Sequence, residues 1–223
     1  MDNRTMMLRV KGALIDLDGT IVDSREAYSE ALKKALTMLG LKEFNPAMAV
    51  EIPRRLEQNL PINDLIPRVN IEKFLETYLT VYYRITGKKT KPLPNVSKTL
   101  EELSRRLKLA LFTMRHVPKE NIRREMEKFG LAKYFHCIVT ALDTRFPKPS
   151  PKAILECSQK LGVNISECVI VGDSVTDIRA GKKAGAKAVA VLSGIFSREE
   201  LEREKPDLIL KDINEILGFL AGL

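Results

Sequence analysis

Short apolar runs alternate with amphipathic helical patterns along most of this chain, and this alternation restricts its fold more than any other feature. Apolar residues recur at helical spacing between the runs, for example at Val96, Leu100 and Leu103. Strands that alternate with helices favour a parallel sheet covered by helices. We therefore predict an α/β fold with a Rossmann-like, doubly wound parallel sheet. The predicted strands are 8–17, 110–113, 137–141, 168–172, 188–192 and, at an edge, 208–210.

A long insertion separates the first two of these strands. About 90 residues lie between them, whereas a strand–helix–strand unit needs only about 30. Apolar stripes predict one helix over 27–39, ended by Gly40, and another over 71–85, ended by Gly87. The stretch between these helices contains four prolines, including Pro53, and is predicted to be less regular. The predicted domains are a small inserted helical domain at 22–91 and a core at 1–21 and 92–223.

Charge and composition exclude several classes of function. The formal net charge is +8, but the basic residues are mixed with acids and lack interleaved aromatic residues, so we expect solvated surfaces and no nucleic-acid partner. Only two histidines are present, which argues against a histidine-cluster site. Three cysteines without a paired motif indicate reduced thiols. No apolar run approaches the roughly 18 residues of a membrane span, and no signal segment is evident. We expect a cytoplasmic protein with no membrane partner.

Carboxylates cluster where two predicted strands end. Asp16 and Asp18 close the first strand, and Asp173 and Asp177 follow the run that ends at Gly172. Ligands of open parallel sheets bind outside the carboxyl ends of the strands. Converging carboxylates repel one another strongly in a low dielectric, and Mg²⁺ prefers oxygen ligands. Asp177 is also a plausible helix-cap or turn residue, but the Asp16–Asp18 pair follows an apolar strand directly. The pattern predicts a Mg²⁺ site.

Two further positions supply groups that suit an oxyanion. Thr113 ends a predicted strand, where its hydroxyl and the next backbone amides could donate hydrogen bonds. Lys148 lies between Pro147 and Pro149, which restrict its backbone just before a predicted helix. A threonine or lysine taken alone is usually structural or solvated, so these two residues gain meaning from their position in the series.

Four segments, taken in chain order, resemble the four motifs of the haloacid dehalogenase superfamily. They are residues 16–20, Thr113, Lys148 and residues 172–177. The helical insert resembles the cap domain of its phosphoglycolate phosphatase-like and β-phosphoglucomutase-like branch. The resemblance implies a superfamily core with a helical cap placed over the active site. It also implies a Mg²⁺-dependent phosphatase that acts on a small phosphorylated metabolite, of the phosphoglycolate or sugar phosphate type, through an aspartyl-phosphate intermediate.

The resemblance assigns two catalytic residues. Asp16 would attack phosphorus, and Asp18 would protonate the leaving oxygen and later activate water. It also assigns ligands for Mg²⁺, namely the Asp16 side chain, the Asp18 carbonyl and Asp173. Asp177 would support the metal either directly or through water.

The resemblance further assigns three substrate-binding residues, Thr113, Met114 and Lys148. Thr113 and the neighbouring amides would hold the phosphoryl oxygens, and Lys148 would neutralise charge on the phosphoryl group and on Asp16. Met114 and Arg115 follow the threonine where relatives often have asparagine, and Arg115 could face the substrate instead.

Other functions remain open at this stage. A phosphomutase of the β-phosphoglucomutase type would use the same residues, and a non-catalytic phosphate-binding module would retain the fold. The basic charge leaves a nucleic-acid end-processing phosphatase as a third option. Three arginines of the insert, Arg54, Arg55 and Arg68, are candidate contacts for an anionic leaving group or plain surface charges. Either a monomer or a homodimer is compatible with the sequence.

Overall fold

The computed structural model describes residues 9–41, 45–67 and 69–220. The chain divides into two units. The first comprises Met1–Val22 and Pro92–Leu223, and the second comprises Asp23–Lys91. The strands, numbered β1 to β8 in chain order, are Gly12–Asp16, Val22–Asp23, Lys91–Pro92, Lys108–Phe112, Cys137–Val139, Cys168–Gly172, Lys187–Val191 and Leu208–Leu210. The α-helices, numbered α1 to α8, are Arg25–Met38, Met48–Glu57, Ile71–Lys89, Val96–Arg106, Lys119–Lys128, Lys152–Leu161, Val175–Ala184 and Arg198–Arg203.

A six-stranded sheet forms the centre of the first unit, in the order β5-β4-β1-β6-β7-β8. Every neighbouring pair in this sheet is parallel. Along the chain, β1 is the first strand of this sheet. The next strands, β4 and β5, lie on one side of it, and β6, β7 and β8 lie on the other side. The predicted α/β fold with a doubly wound parallel sheet is therefore confirmed, and β1, β4 and β6 lie side by side where the strand order reverses.

Both faces of the sheet are buried, which explains why its strands read as continuous apolar runs. Alternate residues of a strand point to opposite faces. Ala13 and Ile15 join one cluster with residues of α4 and α5, and Leu14 joins another with residues of α6 and α7. Each helix thereby covers the sheet through the apolar stripe that its sequence predicts.

The described residues of the second unit form three α-helices around a core of their own. Phe74, Tyr78 and Tyr82 are spaced by four residues on α3 and stack in sequence, with ring centroids 5.7 and 6.2 Å apart. The prediction of a less regular middle stretch was wrong for residues 48–57, because α2 forms there with Pro53 inside it. The apolar side of α2 supplies Ala49 and Ile52 to the core.

Several predicted boundaries also need correction. The first strand covers Gly12–Asp16 and not 8–17, and Leu8 lies outside the described residues. Gly87 does not end α3, which continues to Lys89. Lys89 donates to Glu26 of α1 at 2.9 Å, and this ion pair supports the last turn of the helix beyond the glycine. Among the described residues, no helix is both long and apolar enough to cross a membrane.

Candidate active site

The end of β1 carries the first two acids of the site. Asp16 is the last residue of the strand and is buried, whereas Asp18 is partly exposed. The chain then turns at Gly19, which has a φ of +79° and donates its amide to the Val22 carbonyl at 2.7 Å. A Cβ at this position would lie 2.6 Å from Asp173 Oδ2. The turn therefore requires glycine both for its backbone conformation and for this close approach.

Lys148 connects the ends of two strands through its ammonium group. Its Nζ donates to Asp16 Oδ1 at 2.9 Å and to Asp177 Oδ1 at 2.6 Å. All three side chains are almost completely buried. Burial raises the pKa of Asp16 well above its usual range, the Lys148 charge opposes this effect, and the nearby Asp177 adds to it. The lysine thus favours the ionised form of a carboxyl that burial would otherwise keep protonated.

Asp173 follows β6 directly, and Asp177 lies in the first turn of α7. Asp177 forms a capping box with Ser174 at the start of α7, where its Oδ2 accepts from the Ser174 amide at 3.1 Å and from the Ser174 hydroxyl at 2.8 Å. The N-cap residue is therefore Ser174 and not Asp177, which is the third helical residue of the capping box. The other oxygen of Asp177 accepts from Lys148. Asp173 accepts from the Ile195 amide at 3.2 Å, which holds its carboxylate beside the turn of β1.

Three carboxylates of this site are close enough to share a cation. Asp16, Asp173 and Asp177 each offer an oxygen, and these atoms lie within 4.8 Å of one another. Glycines form the surrounding cradle, since a Cβ at Gly194 would lie only 1.6 Å from Asp173 Oδ2. An all-oxygen, anionic donor set suits a hard divalent cation such as Mg²⁺. The residues present therefore fit the predicted metal, and the cluster includes Asp177 beside the predicted Asp16 and Asp173.

The predicted substrate-binding residues line one pocket. Thr113, Met114 and Lys148 contribute to it, and Thr140 and Pro147 are among its other lining residues. Thr113 follows β4 directly, so it lies beside the end of β1, where Asp16 pairs with Phe112. The Thr113 amide donates to the Val139 carbonyl at 3.0 Å, and its hydroxyl accepts from the Arg115 amide at 3.2 Å.

The guanidinium group of Arg115 already has partners within the protein. Its side chain is 3% exposed and lies between two acids. Its Nε and Nη2 donate to the two oxygens of Asp18 at 2.8 and 2.7 Å, and its Nη1 donates to Glu125 at 2.6 Å. Glu125 was not singled out from the sequence. A signal for it existed, since this acid lies on the buried side of α5 between Ile122 and Met126.

The arginines of the insert also have acidic partners. Arg54 donates to Glu51 at 2.8 Å, and Arg55 donates to Glu51 at 2.7 Å and to Asp64 at 2.6 Å. These contacts all lie within the second unit. Arg68 lies outside the described residues.

Comparisons with known proteins concern the family of the chain and its fold. The sequence pattern of the haloacid dehalogenase-like hydrolases matches residues 13–191. A phosphoglycolate phosphatase of Aquifex aeolicus (strain VF5) is 32% identical over 212 residues, which cover 93% of this chain and 95% of that protein. A Caldanaerobacter subterraneus subsp. tengcongensis protein, provisionally named pyrophosphatase PpaX, is 28% identical over 221 residues and 96% of each chain. The crystal structure of a predicted phosphoglycolate phosphatase from Haemophilus somnus 129PT shares the fold, with a TM-score of 0.78, 24% identity and coverage of 95% of this chain and 98% of that one.

Proposed function

Because this chain belongs to the haloacid dehalogenase-like hydrolases and is a phosphatase of that family, we propose that it hydrolyses a small phosphorylated metabolite in a Mg²⁺-dependent reaction. The reaction proceeds through an aspartyl-phosphate on Asp16. The observation that carries this proposal is the position of Lys148, whose ammonium group bonds both Asp16 and Asp177 in a buried site. A buried carboxylate that must act as a nucleophile needs such a cationic partner.

The first half of the reaction transfers the phosphoryl group to the enzyme. A carboxylate oxygen of Asp16 attacks phosphorus, the bond to the leaving oxygen breaks, and Asp18 gives its proton to that oxygen. Thr113 and the Met114 amide hold phosphoryl oxygens, while Lys148 neutralises part of their charge. We assign the backbone donor to Met114 because the Arg115 amide already bonds the Thr113 hydroxyl.

The second half returns the enzyme to its starting state. Water attacks phosphorus of the acyl phosphate, Asp18 accepts a proton from that water, and inorganic phosphate leaves with Asp16 regenerated. The side chains of Asp16 and Asp173 and the Asp18 carbonyl would hold Mg²⁺, with Asp177 as a direct or water-mediated support. When bound, Mg²⁺ supplies positive charge that screens the repulsion between the carboxylate and the phosphate.

The domain assignment and the substrate belong to the same proposal. We propose that residues 22–91 act as the cap domain and that residues 1–21 and 92–223 form the catalytic core. The candidate substrates are phosphoglycolate, sugar phosphates and pyrophosphate. The similarity to the Aquifex aeolicus phosphoglycolate phosphatase supports the first of these, and the similarity to the PpaX protein supports the last.

The test is release of inorganic phosphate from 2-phosphoglycolate, β-glucose 1-phosphate, pyrophosphate and p-nitrophenyl phosphate, with Mg²⁺ and with EDTA. We expect Mg²⁺-dependent release from at least one compound and none from the Asp16→Asn variant. Asp207→Asn is the matched control, because Asp207 pairs with Lys187 at the far end of β7 and should leave turnover unchanged. Formation of glucose 6-phosphate without free phosphate would indicate a mutase. Equal, near-zero release under both conditions would indicate a binding module.

A further inference from the structure

We propose that Arg115, held in place by Glu125, is the positioning residue that orients the carboxyl group of Asp18 for proton transfer. The inference rests on the proposed role of Asp18 as the acid and base of the reaction. It gives a function to two buried charged residues that lie outside the nucleophile, metal and phosphate sites described above.

The contacts form a continuous chain from α5 to the turn after β1. Glu125 on α5 accepts from Arg115 Nη1 at 2.6 Å, and the other edge of the same guanidinium grips both oxygens of Asp18 at 2.7 and 2.8 Å. The side chains of Arg115 and Glu125 are 3% and 4% exposed, and that of Asp18 is 16% exposed. One edge of the guanidinium group is therefore held by a buried acid, and the other edge holds Asp18, the more exposed of its two acidic partners.

The geometry of arginine suits this task better than that of lysine. The guanidinium group is planar, and its paired N–H groups fix both the distance and the plane of a carboxylate. Glu125 restricts rotation of the guanidinium group. It also offsets the buried positive charge of Arg115, which the partly exposed Asp18 would otherwise have to offset alone. The two contacts with Arg115 favour one of the rotamers that the short side chain of Asp18 can adopt.

One of the two contacts persists while Asp18 carries the proton. When one oxygen bears the proton that passes to the leaving group, that oxygen becomes a weaker acceptor for the guanidinium, while the other oxygen still accepts. The remaining N–H contact keeps the plane of the carboxyl group fixed. Arg115 therefore orients Asp18 in both halves of the reaction without touching the substrate itself.

A series of leaving groups separates this role from a merely structural one. The value of kcat/KM covers the steps up to release of the leaving group. An alkyl leaving group needs a proton at that stage, whereas p-nitrophenolate needs little help. We therefore expect Arg115→Gln to lower kcat/KM for an alkyl phosphate, 2-phosphoglycolate, by about 10- to 100-fold. The value for p-nitrophenyl phosphate should change much less. Glu125→Gln should shift the ratio of the two values in the same direction by a smaller factor.

Three further variants make the test decisive. Arg179→Gln is the matched control, because Arg179 makes a similar two-pronged contact with Glu204 at 2.8 and 2.6 Å in a partly exposed position, and the ratio should not change. Arg115→Lys keeps the charge but not the paired N–H groups, so it should resemble Arg115→Gln and replace it if that variant does not fold. Asp18→Asn removes the proposed acid itself and should therefore give the largest change in the ratio of the two kcat/KM values.

The possible results distinguish the positioning role of Arg115 from the proposed phosphatase activity. An equal loss with both substrates in the Arg115 and Glu125 variants, or no loss with either, would overturn the positioning role while leaving the phosphatase proposal intact. If Asp18→Asn itself leaves the ratio unchanged, the assignment of Asp18 as the acid is wrong, and the role of Arg115 is overturned with it.

Discussion

Replacement of Lys148 by methionine tests the electrostatic basis of the site, because it removes the charge and keeps a side chain of similar length. Asp16 and Asp177 would then face each other in a buried position with no cationic side chain bonded to both. Removal of one member of a buried ion pair typically costs about 3–5 kcal/mol. We expect Lys148→Met to lower the free energy of unfolding by an amount in this range, measured by urea denaturation in EDTA at about pH 8.

The dependence of this loss on pH follows from the pKa of Asp16. Burial raises that pKa in the folded protein, and Lys148 opposes the rise. The folded state therefore binds this proton more readily than the unfolded chain does, and it gains stability as the pH falls. Removal of Lys148 strengthens this dependence, so the deficit of the variant should shrink between about pH 8 and about pH 5.

Two comparisons decide whether the reasoning holds. Lys187→Met is the control, because Lys187 makes a half-exposed ion pair with Asp207 at 3.2 Å, and its loss should cost less than about 1 kcal/mol at any pH. A Lys148→Met protein as stable as the wild type at about pH 8, or one with the same deficit at both pH values, would refute the reasoning.

Three more predictions concern the metal and the glycines that shape its surroundings. Saturation with Mg²⁺ at about 100 times its Kd should stabilise the protein by about 2.7 kcal/mol, which corresponds to a Tm increase of about 5–11 °C in a scanning fluorescence experiment. Gly194→Ala would place a Cβ 1.6 Å from Asp173 Oδ2, so a Mg²⁺ titration of Tm should show a loss of affinity of about 10- to 100-fold. Gly181→Ala would place a Cβ 2.2 Å from Ile170 Cγ2 at the contact between α7 and β6, so urea denaturation should show a loss of about 1–3 kcal/mol with the activity of the folded fraction retained.

The main sheet could be predicted from the sequence because its strands are buried on both faces. A run such as 168–172 contains only apolar residues and glycine, so its burial and its length are both readable, and the structure has the strand at Cys168–Gly172. The insert was harder to predict because local signals there conflict with packing. Pro53 argued against a helix, yet the apolar residues of α2 reach the core at helical spacing, and this packing outweighs the missing hydrogen bond.

For the candidate site, the sequence could indicate which residues meet but not how they pair. Parallel strands end at one edge of a sheet, so acids that follow β1 and β6 had to lie near each other. Lys148 bonds Asp177, which lies 29 residues away in the chain. Arg115 bonds Asp18 with two N–H groups across 97 residues. Such contacts depend on side-chain directions set by the loops, and no local pattern encodes those directions.

The balance of charge links these contacts to the proposed chemistry. Five carboxylates lie in or beside the site, on Asp16, Asp18, Asp173, Asp177 and Glu125. In the part of the chain that the structure describes, Lys148 bonds Asp16 and Asp177, and Arg115 bonds Asp18 and Glu125. Lys148 therefore sets one positive charge against the three acids that offer oxygens to a cation. An anionic phosphate would meet net repulsion at this cluster unless a divalent cation were bound there. Burial, together with the nearby Asp177, raises the pKa of Asp16, so Mg²⁺ binding, ionisation of the nucleophile and phosphate binding should be mutually favourable.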